Sequence, residues 1–189
     1  AILAGLARLV DEATAGFDGY HHTRALEAAE TFFWTFCDDY VELVKERAYG
    51  SRGEASAASA KAALGTTLSV VLRLFAPFLP FVTEEVWSWW REGSVHRATW
   101  PTRAEATTAT PGDPALLPIV GAALSQVRGA KSAAQVSMRT EVSRALVHGA
   151  TSDLDLLRLA GDDLAAAGRI GDLAFEATEG GELSVDVSL

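Results

Sequence analysis

The chain has 189 residues, a formal net charge of −9 and a 49% share of apolar residues. Such an acidic chain does not coat nucleic acid through bulk charge, and its apolar share excludes wholesale disorder. Cys37 is the only cysteine, which excludes an intramolecular disulfide framework and fits a reducing, cytoplasmic location.

Three helices are predicted in the first part of the chain. Apolar residues recur at intervals of three and four over about 1–16, 23–48 and 55–76. Thr23 is the predicted N-cap of the second of these helices, which has the clearest periodicity in the chain.

A fourth helix is predicted from two prolines. Pro77 removes a backbone donor and predicts the end of the third helix, whereas Pro80 suits the first turn of a new one. In that fourth helix we expect Val82, Val86 and either Trp89 or Trp90 to face inward. Four antiparallel helices with short connections predict a bundle.

The helical pattern stops after this bundle. Ser94 to Trp100 is predicted as a short extended segment, and 104–112 is predicted as a linker because it is rich in Ala, Thr, Pro and Gly. Asp113 is a predicted cap, and Pro114 then begins a helix that runs to about Ala133.

The last part of the chain predicts a small α+β unit. Glu141 to His148 reads as a strand, Asp153 to Ala167 as a helix, and Ile170 to Ala177 and Glu182 to Leu189 as two further strands. Glu179-Gly180-Gly181 predicts a hairpin turn between the last two strands. The predicted fold class is therefore mainly α, an antiparallel helical bundle (1–103) followed through the linker by a small α+β C-terminal subdomain (113–189).

No active site is predicted. The adjacent carboxylate pairs, such as Asp38-Asp39, point about 100° apart on a helix and do not converge as a general acid and base. The four histidines lack metal-site spacing, and no phosphate-binding loop is present, so neither a metal nor a cofactor is expected in this chain. No apolar run reaches the roughly 18 uncharged residues of a membrane span. The tryptophans near residue 90 could stack on bases, but their helical spacing favours the core.

Three stretches together resemble one family. They are FFWTFCDDYVELVKERAYG (32–50), LRLFAPFLPFVTEEVWSWW (72–90) and AKSAAQVSM (130–138). Their order and spacing are similar to those of the anticodon-binding domain of valyl-tRNA synthetases and of the small region that follows it. The Phe-Cys-Asp motif favours the valyl family over its isoleucyl and leucyl relatives, and the high alanine content is similar to that of actinobacterial members.

The resemblance implies tRNA binding rather than chemistry. Members of the family use ATP to activate valine and charge tRNA(Val), but the nucleotide-binding and editing motifs that do so are not in this sequence. The implied partners are tRNA(Val) and the catalytic core of the same polypeptide, and a monomer is expected. The family's bundle begins with an Asn-Lys-x-x-Asn-Ala helix that would precede Ala1, so the bundle is expected to lack its first helix.

Two basic stretches supply the tRNA-contact candidates. Residues 45–73 and 128–144 each carry a local charge of +3, and phosphate contacts come from such side chains. The candidates are Arg47, Arg52, Lys131 and Arg139. Two alternatives stay open: a free-standing RNA-binding accessory module, and a helical protein-interaction scaffold that does not bind RNA.

Overall fold

The computed structural model describes residues 1–108, 112–178 and 181–189. Within them the chain forms helices joined by short turns and a three-stranded sheet. The residues group into two compact units, one made of Ala1–Asp38 with Ala58–Asp113 and the other of Asp39–Ala57 with Pro114–Leu189. The mainly helical fold with a small C-terminal sheet confirms the predicted fold class.

The core of the first unit begins with two antiparallel helices, α1 (Ile2–Asp18) and α2 (His22–Trp34). The helical spacing of Leu6 and Val10 buries both residues, as predicted. A Cβ added at Gly16 would lie 3.1 Å from the Cβ of Ala25, so the small residue allows the helices to cross closely. The predicted Thr23 cap is wrong, because His21 occupies the N-cap position and Thr23 already lies inside the helix.

The long second helix that the sequence predicts is interrupted. A π-helical segment, Thr35–Tyr40, joins α2 to α3 (Val41–Ala48). A π turn inserts an extra residue per turn and rotates the helix faces on either side of it relative to one another.

Pro77 and Pro80 act as predicted. The helix α4 (Glu54–Phe75) ends just before Pro77, and α5 (Pro80–Ser88) has Pro80 in its first turn. The predicted inward face of α5 is correct only for Val86, which packs against the core, and wrong for Val82, Trp89 and Trp90, which are exposed; the fully buried side chains are Thr83 and Trp87. The helix ends at Ser88, and the tryptophans that follow lie in a turn that continues its path, with Trp89 N and Trp90 N donating to Val86 O and Trp87 O.

The connection after α5 is helical rather than extended. Val95–Arg97 forms a 3₁₀ turn where an extended segment is predicted. Glu84 fixes this turn, since its Oε2 accepts hydrogen bonds from Ser94 Oγ and Val95 N, both at 2.9 Å. A second 3₁₀ turn, Arg103–Ala106, buries Ala106 against the α1–α2 core.

The second unit packs helices against a small sheet. Its elements in this part of the chain are α6 (Leu116–Ala133), β1 (Val142–Gly149), α7 (Thr151–Leu159), α8 (Gly161–Gly168), β2 (Ile170–Ala177) and β3 (Ser184–Ser188). The three predicted strands are thus present. The predicted helix Asp153–Ala167 is two helices separated at Ala160, and α6 begins at Leu116, two residues later than predicted.

The order of the strands corrects the hairpin prediction. The sheet order is β2-β1-β3, with β1 parallel to β2 and antiparallel to β3. The last two strands therefore lie on opposite sides of β1 and form no hairpin with each other; Glu179 and Gly180 of the predicted turn lie outside the described residues. On the outer side of β3, the amide of Gln126 donates to Leu183 O and accepts from Val185 N, both at 2.8 Å, as a neighbouring strand would.

The predicted boundaries 1–103, 104–112 and 113–189 stay a prediction. Of the two compact units, the second includes residues 39–57 together with the C-terminal part of the chain, although residues 39–57 precede most of α4 and all of α5 in sequence. The predicted linker begins inside the 3₁₀ turn Arg103–Ala106, and its residues 109–111 lie outside the described part.

Candidate nucleic-acid interface

The four predicted tRNA-contact residues all belong to the second unit. The structure places them in two groups. Arg47 and Arg52 share one pair of aspartates, whereas Lys131 and Arg139 lie at the connection between α6 and β1.

Arg47 and Arg52 are neutralised by acids from α8. Arg47 Nη2 lies 3.2 Å from Asp163 Oδ2, and Arg52 Nη1 lies 3.0 Å from Asp163 Oδ1 and 3.7 Å from Asp162 Oδ2. Burial raises the pKa of the Asp163 carboxyl, while the two guanidinium groups act to lower it. Two cations face two carboxylates here, so this group carries little net charge toward a phosphate.

Lys131 is a buried cation. Its side chain is 1% exposed, and its ammonium donates to Met138 O at 3.2 Å and to Gly168 O at 2.9 Å. Burial lowers the pKa of this ammonium, and the cations Arg169 and Arg128 lower it further. Lys131 therefore ties α6 to the loop before β1 and to the end of α8, rather than presenting its charge at the surface.

Arg139 is exposed and has a basic neighbour that the sequence did not indicate. Arg169 Nη1 donates to Arg139 O at 3.3 Å. The parallel pairing of β1 with β2 aligns Val142 with Ile170, so the residues just before both strands lie at the same edge of the sheet. Arg169 adopts a left-handed conformation with φ of 53° at the end of α8, which ends that helix and starts β2.

A shallow groove lies beside this edge. It has a volume of about 540 Å³, and the residues that line it include Glu141, Ser143 and Arg169. We call Arg139, Arg169 and this groove the β1–β2 basic edge. In the sequence, Arg169 could have been noticed because it lies between a glycine that ends a helix and a predicted strand. Its proximity to Arg139 could not, because that depends on the parallel pairing of β1 with β2.

The described residues were also compared with the requirements of a metal site and of a membrane span. Within residues 1–108, 112–178 and 181–189, no group of three or more His, Cys, Asp or Glu side chains could hold a metal ion. In the same part of the chain, α4 is the one helix that is long and apolar enough to pass a length-and-composition test for a membrane span, a test that core helices of globular domains also pass. Its last turns are buried in the core of the first unit through Val70, Val71 and Leu74.

The fold defines a class of protein: a helical bundle domain that carries a small α+β unit with basic residues at one sheet edge. A family described as the anticodon-binding domain of tRNA ligase matches residues 1–146. The chain belongs to this family.

Curated relatives are similar to the whole chain. The valine–tRNA ligase of Thermobifida fusca is 57% identical over 100% of the chain, that of Leifsonia xyli subsp. xyli 52% over 97%, and that of Cutibacterium acnes 50% over 100%. All three are actinobacterial, as the sequence indicated. The chain spans about a fifth of the length of these relatives, 21% to 22%.

Proposed function

We propose that the chain is the tRNA-binding region of a valine–tRNA ligase and that it binds the anticodon stem-loop of tRNA(Val). The observation that carries this proposal is the identity of 57% to a valine–tRNA ligase over the entire chain, together with the anticodon-binding family match. In this proposal the chain itself catalyses no reaction. A longer, cytoplasmic and monomeric ligase, of which it is a part, activates valine with ATP and charges the tRNA.

Within this function, the β1–β2 basic edge supplies phosphate contacts. Arg139 and Arg169 are both exposed, and the hydrogen bond from the Arg169 guanidinium to the backbone carbonyl of Arg139 puts two cations at one edge of the sheet, as phosphate binding requires. Arg47 and Arg52 contribute less in this proposal because Asp162 and Asp163 offset their charge. Lys131 acts indirectly, by holding the loop that carries Arg139.

A fluorescence-anisotropy titration tests the proposal. The chain is titrated with tRNA(Val) and with the same tRNA carrying an altered anticodon, at several salt concentrations. We expect weak binding that fades as salt rises and that favours the natural anticodon. Equal affinity for both tRNAs would remove anticodon recognition from this chain, and salt-insensitive or absent binding would favour the protein-interaction scaffold.

Two variants test the basic edge. Arg139→Gln and Arg169→Gln are each expected to weaken binding equally for both tRNAs and to reduce the slope of log affinity against log salt by roughly 0.7–1. Arg24→Gln is the matched control, since it removes the same charge from an exposed position of the first unit. Equal effects of Arg24→Gln and Arg139→Gln would show that only the overall charge matters and would reject the basic edge as the contact site.

A further inference from the structure

A patch of apolar side chains on and around α5 is exposed. Leu79 is 48% exposed, Phe81 88%, Val82 53%, Trp89 70% and Trp90 38%. We call these five residues the α5 patch. The opposite side of the helix is packed, since Trp87 and Thr83 are buried. The hydroxyl of Thr83 also donates a hydrogen bond to Leu79 O at 2.8 Å. The patch is therefore a surface of a fixed helix.

The exposed side chains form a continuous surface. Val82 and Trp89 are seven residues apart, which places them on the same side of the helical path. Phe81, Glu85 and Trp89 follow one another at intervals of four residues, the spacing of neighbours on one helix face, and Trp89 Nε1 donates a hydrogen bond to Glu85 Oε1 at 3.2 Å. Monomeric proteins rarely expose large contiguous apolar patches, and those that are exposed commonly mark interaction sites. Something is thus expected to cover the patch in the working protein.

Charge argues against RNA as the cover. The stretch from Leu79 to Glu92 carries three carboxylates, those of Glu84, Glu85 and Glu92, and the single guanidinium of Arg91, a net charge of −2. Arg91 itself lies over the ring of Trp90, with its Cζ 4.6 Å from the ring centroid. Phosphates would be repelled by this surface, whereas an apolar protein surface with basic residues at its rim would fit it.

We propose that the α5 patch docks onto the remainder of the ligase polypeptide and fixes the tRNA-binding region relative to it. This inference rests on the proposed function. The curated relatives provide about four-fifths of their length beyond the matched segment, since the chain covers 21% of the Thermobifida fusca ligase. Interfaces between domains of one chain resemble transient protein–protein interfaces, in which an apolar core is surrounded by a polar rim, and the α5 patch would supply such a core.

Radical footprinting tests the docking. The 189-residue chain is exposed to hydroxyl radicals alone and after it replaces the matching segment of the Thermobifida fusca ligase, and mass spectrometry gives the oxidation rate of each side chain. Phe81 and Trp89 are expected to oxidise about fivefold more slowly in the ligase, as side chains at an interface core lose their solvent-exposed area. Tyr49, which is 81% exposed in the second unit, is the control and should change less than about twofold.

Three results would overturn the proposal. Unchanged rates for Phe81 and Trp89 in the ligase would show that the patch stays open. Protection of the chain alone by added tRNA would make the patch an RNA contact, and protection that grows with the concentration of the chain alone would make it a contact between two copies. Aminoacylation by the chimeric ligase is measured in parallel, so that a failure of the proposed function is read separately from a failure of the docking.

A double variant gives a second measurement. Phe81→Ser with Val82→Ser should leave the melting temperature of the chain alone within about 2 °C, because both side chains are more than half exposed and surface substitutions cost little. In the chimeric ligase the same variant should separate the melting of the tRNA-binding region from that of the rest. A single unchanged transition in the variant ligase would contradict the docking.

Discussion

The ion pair between the buried Arg73 and the partly exposed Glu105 is expected to respond asymmetrically to the loss of its two partners. Arg73 is 7% exposed in its side chain, and Glu105 is 38% exposed. The guanidinium also donates from Nε to Ser69 O and from Nη1 to Thr99 O, both at 3.1 Å, so it joins α4 to the segment that follows α5. Removing the carboxylate leaves a buried cation, whereas removing the guanidinium leaves an acid that water can reach.

The magnitudes follow from burial. Glu105→Ala should lower the free energy of unfolding by about 3 kcal/mol, at the low end of the range for breaking a buried pair, because the remaining carbonyls still accept from Arg73. Arg73→Met should cost about 1–2 kcal/mol, since methionine fills the volume of the side-chain stem and the partly exposed Glu105 becomes hydrated. The double variant should cost little more than Arg73→Met alone, because the orphaned cation is then absent.

Urea unfolding followed by circular dichroism at neutral pH measures all three variants. The signal at 222 nm reports mainly on the helices, and the midpoint multiplied by the slope gives each free energy of unfolding. The reasoning is refuted if Arg73→Met costs as much as Glu105→Ala, or if the two single losses simply add in the double variant.

The same pair gives a pH dependence with a fixed sign. The hydrogen bonds from Arg73 lower the pKa of Glu105 in the folded protein, with smaller contributions from Thr102. The stabilisation is therefore fully present above the unfolded pKa, near 4.3, and is lost as pH falls through the lowered folded value. The stability difference between the native chain and Glu105→Gln should shrink as pH falls from 7 to about 3, and a difference that is constant with pH would contradict the pairing.

Three further changes test the second unit. Gln126→Ala removes both hydrogen bonds to the outer edge of β3 and should cost about 1–2 kcal/mol in urea unfolding, with faster amide exchange in that strand. Gly121→Ala should lower the free energy of unfolding by about 1 kcal/mol, because the added Cβ would lie 3.1 Å from the Asp39 carboxylate. The control is Gly129→Ala, whose added Cβ has nothing within 4 Å and which should stabilise α6 by about 0.5–1 kcal/mol. Asp163→Asn should lower stability by about 1–3 kcal/mol while raising affinity for tRNA, because it unpairs the arginines it holds; unchanged affinity would reject them as tRNA contacts.

The helices and strands could be predicted because each has a local signal. The apolar period of three and four locates α1 and α4, the prolines locate the break before α5, and the alternation Val185, Val187 locates β3. The π segment at Thr35–Tyr40 could not be predicted, since one extra residue per turn leaves no mark on composition. The strand order was also out of reach, because pairing β1 with both later strands depends on contacts distant in sequence.

The sequence contains a signal for the burial of Lys131, but a basic residue type is usually taken to indicate an exposed side chain. On α6 the buried apolar residues include Val120, Leu124 and Val127, and Lys131 follows four residues later on the same face. A basic residue in phase with an apolar stripe is placed for burial, where its amine must find carbonyl acceptors. Had position on the helix been given more weight than charge, Lys131 would have been predicted as buried. Arg139 lies beyond the end of α6 and is not part of this apolar stripe.

These placements set how strongly the chain can hold tRNA. Of the four predicted contacts, Lys131 is buried and the pair Arg47 and Arg52 is offset by aspartates, which leaves Arg139 joined by Arg169. Each phosphate contact contributes roughly 0.7–0.9 to the slope of log affinity against log salt, so the two arginines of the β1–β2 basic edge would supply a slope of about 1.4–1.8 rather than the slope near 10 of a strongly basic nucleic-acid-binding protein. We therefore expect the isolated chain to bind tRNA weakly, given its acidic composition and the positions of its cations. Tight binding requires further contacts from the ligase polypeptide to which we propose the α5 patch attaches it.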